Sequence, residues 1–246
     1  MRPVEKLKPG STKAYRDAND EVTNHTIQKD YSKYRDAKPP LAANLGQYCS
    51  YCECRCNMAN LEVEHIQPKG RGGSPTAWDN FLLGCKICNT VKTKKISGTT
   101  CHLPHRNNTF MDFVYDWTGR ITVNSGIPRK SQKNAQDLLD LLKLQRYPSE
   151  DKPSDCDFRW RDRIEAWNIA TSQLKAYRQK SLNEDDIIRL AQSIGHWSIW
   201  FTVFKDEDAV LEHLILDFPG TCADCFDADN HYNPVYRNPS NAKDPV

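Results

Sequence analysis

The chain of 246 residues carries 34 Lys and Arg against 32 Asp and Glu, a formal charge of +2. That length can bury one good core or two small ones, and a balance so near neutral excludes bulk charge as a reason for binding a polyanion, leaving only local patches to do so. There is no apolar run of membrane-spanning length, and the start Met1-Arg2-Pro3-Val4-Glu5-Lys6 has no apolar signal segment, so no membrane role and a cytoplasmic location are expected.

Residues 1–30 are polar with little periodicity and read as an extended arm or weak helix that would not fold alone. A short helix between Tyr31 and Gly46 follows, broken or started by Pro39-Pro40 and ended by the glycine. Past residue 97, Phe110, Phe113 and Tyr115 alternate before Thr118-Gly119, with Ile121 and Val123 beyond, a hairpin pattern. Ser131 opens a helix whose apolar face is Ala135, Leu138, Leu139, Leu141 and Leu142, stopped by Pro148. Helical spacing returns over Phe158–Ser181, and Asn183-Glu184-Asp185 caps a further helix to about Lys205. Its aromatic stripe of Trp197, Trp200, Phe201 and Phe204 reads as core. Residues 206–230 hold eight acidic side chains and no Lys or Arg, a solvated face or a surface for a basic partner.

The chemistry is concentrated in the middle of the chain. Cys49-x2-Cys52 and Cys85-x2-Cys88 each offer two sulfurs from a tight turn, and together they fill a tetrahedral zinc site with no open position. A closed zinc binds no substrate, so reactivity falls to the residues that it frames: Glu64, His65, Asn80 and Asn89. Phosphodiester hydrolysis needs a base for water and a cation for the charge that develops on oxygen. His65 has the pKa for the base, and Glu64 and Asn89 have the hard oxygens that Mg2+ or Mn2+ prefers. Glu64 and His65 are neighbours on a strand and face opposite ways unless the strand ends there, which Pro68 and the glycines at 70, 72 and 73 provide for. Glu62 shares the face of Glu64 and reads as a solvated carboxylate, with a supporting role as the alternative. Between residues 65 and 106 there are seven basic side chains and one acidic, and Lys69, Arg71, Lys92, Lys94 and Lys95 are the expected contacts to nucleic acid.

Glu64-His65-Ile66-x-Pro68-Lys69, the Gly72-Gly73 loop, Trp78-Asp79-Asn80 and Cys88-Asn89-x2-Lys92 together resemble the HNH endonuclease family over about residues 45–97. The resemblance implies a ββα-metal core in which His65 is the catalytic base, Asn80 orients it through a hydrogen bond, and Asn89 stands at the helix position that is His or Asn in the family. Met1-Arg2-Pro3-Val4-x-Lys6, Cys49-x-Tyr51-Cys52-Glu53, Glu62-Val63-Glu64-His65 and Leu82-Leu83-x-Cys85 narrow it: they are similar to the PtuB-type HNH nuclease of Septu and retron-associated antiphage systems. That resemblance implies an ABC-type ATPase partner, sometimes a retron reverse transcriptase and its small DNA, and cleavage of phage or host nucleic acid.

The expected fold class is α+β, mainly helical: an arm and short helix over 1–44, a zinc-stapled ββα-metal nuclease core over 45–97, a hairpin and helix extension over 98–150, and a helical partner-binding region over 151–246. The expected activity is hydrolysis of DNA phosphodiester bonds with structural Zn2+ and catalytic Mg2+ or Mn2+. An RNA-cleaving toxin of the same fold and a non-catalytic zinc-dependent DNA-binding module are the alternatives. Cys222-x2-Cys225, flanked by His213 and His231, makes a second zinc conceivable, while Cys54, Cys56 and Cys156 read as free thiols or core residues.

Overall fold

A computed structural model describes residues 1–17, 19–92, 101–149 and 156–237. The first 30 residues, expected as an extended arm or weak helix, contain an antiparallel hairpin, β1 (Thr12–Arg16) with β2 (Val22–Thr26), Thr12 opposite Thr26. The Asp17 carboxylate accepts from the Asn19 and Glu21 backbone N–H groups at 2.8 and 3.1 Å, and closes the turn. Both strands are largely exposed, so a hydrophobic period was never required of them. The residues before them are buried instead, Met1 and Val4 being 0% and 1% exposed.

Helix α1 (Lys38–Leu45) takes Pro39 and Pro40 into its first turn, where a missing N–H costs nothing, and ends at Gly46 with φ 75°. A cysteine-rich turn leads into β3 (Leu61–His65), which pairs antiparallel with β4 (Phe81–Cys85) in the register His65 opposite Phe81. Helix α2 (Lys86–Lys92) follows at once. Helix α3 (Thr109–Asp112) precedes the hairpin of β5 (Phe113–Tyr115) and β6 (Ile121–Val123), turned by Gly119 at φ 80°. Helix α4 (Arg129–Leu142) starts directly after Pro128 and ends at Lys143 in the left-handed region, short of the expected stop at Pro148. Its five apolar residues, Ala135, Leu138, Leu139, Leu141 and Leu142, are all buried.

Helix α5 (Arg159–Arg178) is continuous, but the helix expected from Asn183 to about Lys205 is two, α6 (Glu184–Ile194) and α7 (Trp197–Val203). The break has a long-range cause. Gly195 and His196 adopt φ 81° and 57° so that the His196 N–H can donate to the Glu53 carbonyl at 2.9 Å, and a Cβ at position 195 would lie 2.6 Å from that oxygen. Helix α8 (Asp208–Leu216) closes an aromatic core in which Trp197, Trp200, Phe201 and Phe204 are at most 3% exposed, as the stripe implied. No helix among the described residues is long and apolar enough to cross a membrane.

Two apolar clusters result, one around the β3–β4 hairpin and α4, the other among α6 to α8, with Ile194 and Val203 packed against both. The polar link between them is Glu53, 5% exposed and itself at φ 64°. Its carboxylate accepts from the Arg2 backbone N–H, from the Ser198 N–H at 3.2 Å and from the Ser198 hydroxyl at 2.7 Å. The N-terminal segment is tied to residues 220–237: Cys222 N–H donates to the Pro3 carbonyl at 3.0 Å, Glu5 N–H to that of Gly220 at 2.8 Å, and Arg237 to that of Val4 at 3.1 Å. Glu53→Ala would orphan these donors in a buried setting and is expected to cost about 3 kcal/mol in chemical denaturation, with Glu53→Gln costing less because it keeps an acceptor oxygen.

Candidate nuclease site and cysteine cluster

The Sγ atoms of Cys49, Cys52, Cys85 and Cys88 lie within 4.8 Å of one another, and all four residues are buried. The first pair comes from the turn after α1, the second from the junction of β4 and α2, and the Ser50 N–H donates to the Leu83 carbonyl at 2.8 Å, docking the turn on the strand. Arg159 of α5, 4% exposed at its side chain, donates to the Cys88 sulfur at 3.3 Å while pairing with Asp157 at 2.8 Å. It also donates to the Leu142 carbonyl at the end of α4. Cys54 stands 3.3 Å from Cys52 and 3.1 Å from Cys56. Four sulfurs in this disposition could hold one tetrahedral metal ion. Among the described residues no other group of three or more His, Cys, Asp or Glu is so gathered; His213 and His231 are paired with Asp217 and Asp208, each at 2.7 Å, and do not join Cys222 and Cys225.

Along β3 opens a cleft of about 920 Å³ whose lining includes every residue of that strand, Glu62, Glu64 and His65 among them, together with Asn89. The His65 ring meets the edge of Phe81 at 5.0 Å on one side and Tyr34 at 5.1 Å on the other. Its Nε2 lies 3.2 Å from the Pro75 carbonyl oxygen. A carbonyl only accepts, so Nε2 bears the proton and Nδ1 is left as the basic nitrogen. Partial burial lowers the His65 pKa below its ordinary value, and the charges of Lys69 and Lys92 push the same way against the Pro75 hydrogen bond, so the imidazole is neutral near pH 7.

Asn80 was expected to hydrogen-bond His65. Its side chain instead accepts from the Gln67 N–H at 2.8 Å and donates to the Gln67 and Ser74 carbonyls at 2.9 and 2.8 Å. It therefore acts one residue removed, by fixing the loop whose next carbonyl, that of Pro75, holds the histidine. Gly73 is required for this closure, since a Cβ there would lie 1.9 Å from the Gln67 oxygen.

The carboxylates are also placed differently from expectation. Glu64, 2% exposed, accepts from the Tyr51 hydroxyl at 2.6 Å and is paired with the Lys92 ammonium. Lys92 is itself 1% exposed and donates to the His65 and Ile66 carbonyls at 2.6 and 3.0 Å. It neutralises a buried acid and ties α2 to β3, and is not a contact for nucleic acid. Lys69 and Arg71 are exposed at the cleft as expected, while Lys94 and Lys95 lie outside the described residues. The carboxylate that meets Asn89 is that of Glu62, which accepts from the Asn89 amide. Sequence spacing put Glu62 on the face of Glu64 but could not show that Lys92 occupies one and leaves the other open. Tyr34, which packs on His65 from 31 positions earlier, carries no signal in the sequence.

If one metal ion organises the cysteine cluster, Cys85→Ser is expected to lose that ion and the cooperative melting transition together, as measured by metal analysis and calorimetry. A well-folded protein without metal would overturn the assignment.

Residues 49–95 match the model of the HNH endonuclease family. A protein of Vibrio cholerae serotype O1 biovar El Tor, "Retron Vc95 putative HNH endonuclease", is 28% identical over 107 residues, 40% of this chain and 52% of that protein. The likeness thus spans about half of that relative's length. Residues 49–95, which include Glu62, His65 and Asn89, thus carry an HNH endonuclease domain.

Proposed function

We propose that the chain is a metal-dependent endonuclease that hydrolyses DNA phosphodiester bonds at the cleft beside β3, with His65 as general base. The observation that carries this reading is the fixed neutral His65, with Nδ1 free to accept a proton, a few residues along the same cleft from the Glu62–Asn89 pair. Nδ1 takes a proton from water, the oxygen attacks phosphorus, and the bond to the leaving oxygen breaks in line with it. Glu62 and Asn89, with Glu64 behind them, offer the hard oxygen donors suited to Mg2+ or Mn2+, and such an ion would supply charge stabilisation on the phosphoryl and leaving oxygens. In this reading Asn80 and Lys92 are positioning residues. The cysteine cluster is structural Zn2+, stapling β3, β4 and α2 into a ββα-metal core; four buried thiols and no oxygen ligand are the donor set for that ion.

His65→Ala is expected to lower cleavage about 10²-fold or more while leaving metal content and DNA affinity in place. The measurement is nicking of plasmid, single-stranded DNA and RNA with Mg2+ or Mn2+; full activity in the variant would sink the mechanism, and cleavage of RNA alone would replace the substrate. Glu62→Ala and Asn89→Ala should raise the Mn2+ concentration that gives half-maximal rate.

The resemblance to PtuB-type nucleases and the retron named in the Vibrio relative support a role in antiphage defence beside an ABC-type ATPase, with a retron reverse transcriptase in some systems. We assign the docking surface to the C-terminal helical region, where Leu216 and Tyr236 are 64% and 61% exposed next to the acidic 206–230 segment. Leu216→Asp with Tyr236→Asp is expected to abolish co-purification of the ATPase and to spare intrinsic nicking; undiminished co-purification would move the surface elsewhere.

A further inference from the structure

The cleft has a second wall that belongs to none of the HNH motif residues. The segment Tyr34–Ala37 forms a single turn leading into α1, and Tyr34, Arg35 and Lys38 line the same cleft as Lys69 and Arg71. The wall is fixed to the catalytic side by contact: the Tyr34 ring lies 5.1 Å from that of His65, and the Lys69 ammonium sits 4.1 Å from the Tyr34 ring centre. The Arg35 Nε donates to the Tyr34 hydroxyl at 3.3 Å, which orients the guanidinium along the wall. Arg35 is exposed and Lys38 half-buried, three positions apart and hence on one side of the turn. Among the described residues no carboxylate lies within ion-pair distance of either, although the Glu62 carboxylate on the same cleft acts on Arg35 at longer range, whereas the buried Lys92 is paired with Glu64. Arg35, Lys38, Lys69 and Arg71 line the cleft against Glu62 and the Lys92-paired Glu64, a positive excess that a polyanion would relieve.

We propose that Tyr34, Arg35 and Lys38 form a phosphate-binding wall that grips the backbone of the strand being cut, continuous with Lys69, which sits on the Tyr34 ring, and so help to hold the scissile phosphate over His65. This rests on the nuclease reading of the same cleft. The segment reaches the site only through tertiary packing and confers affinity independent of base sequence, because its groups are charges aimed at phosphates and not paired donors set for a base edge.

The test uses the full chain with His65→Ala, so that binding is measured without cutting, against fluorescent duplex DNA, single-stranded DNA and RNA over a range of salt. Adding Arg35→Ala and Lys38→Ala is expected to flatten the plot of log affinity against log salt by about 1.8 on duplex or about 1.4 on a single strand, the loss of about two phosphate contacts. Lys175→Ala with Lys205→Ala, the same change in charge on exposed positions away from the cleft, should leave the slope alone. Metal content and circular dichroism confirm that each protein is folded. A slope equal to that of the control pair overturns the wall. Failure of the unsubstituted chain to bind or cut any of the three nucleic acids overturns the nuclease reading along with it.

Discussion

The constraint on which the rest depends is the meeting of four buried sulfurs from two distant turns. Four sulfurs within 4.8 Å of one another could hold a cation, which as thiolates they would need to offset their repulsion, and the Ser50 hydrogen bond to Leu83 docks the Cys49–Cys52 turn on β4 as well. Their approach sets the register of everything that matters nearby. Cys85 is the last residue of β4 and pairs with Leu61, the first residue of β3, so fixing the cysteine fixes His65 opposite Phe81 at the other end of the same hairpin. Cys88 lies in α2, and fixing it places Asn89 beside Glu62 and Lys92 under Glu64. A metal ion that takes no part in chemistry would thus position every group that does.

The cleft separates charge by depth. Two acids alternate on one face of β3; the deeper one is neutralised by a buried lysine and a tyrosine hydroxyl, and the shallower one accepts from an amide and has Arg35 as its longer-range counter-charge. An unpaired acid in the deep position would be driven toward protonation, and a paired acid in the shallow position would be a poor ligand. The arrangement leaves one anionic oxygen donor facing the open space and holds its neighbour as scaffold. His65 is treated likewise: it packs against two aromatic rings with a carbonyl on Nε2, which leaves a single nitrogen available, and partial burial, with a smaller push from Lys69 and Lys92, lowers its pKa.

The C-terminal helices are part of this scaffold. Arg159 reaches the Cys88 sulfur from α5, and Glu53, inside the cysteine turn itself, is read by Ser198 of α7 and by the backbone at Arg2. The turn is therefore held from three sides, by β4, by the N-terminal segment and by α7. A surface used for docking on those helices would be mechanically connected to the cysteine turn without any residue of the cleft being moved.

Local pattern sufficed where the cause was local. The paired cysteines, the strand ended by Pro68 and the glycines, the proline start and glycine end of α1, the Gly119 turn and the apolar face of α4 follow from residue chemistry at short range, and the HNH resemblance located the hairpin and its histidine. What depended on distant partners was not legible. Within the helix expected from Asn183 to about Lys205, Gly195 permits a break, but the break is completed by the Glu53 carbonyl 143 positions earlier, which accepts from the His196 N–H. Lys92 looks like one more basic surface residue until α2 packs against β3 and buries it against Glu64. Asn80 could equally have bonded the histidine or its own loop, and the close approach of Gly73 to Gln67 decided for the loop. Tyr34, Arg35 and Lys38 lie in a polar stretch with no period or motif. Only tertiary packing carries them to the cleft, because a side chain's burial and its partner's charge are properties of the folded neighbourhood and not of its place in the chain.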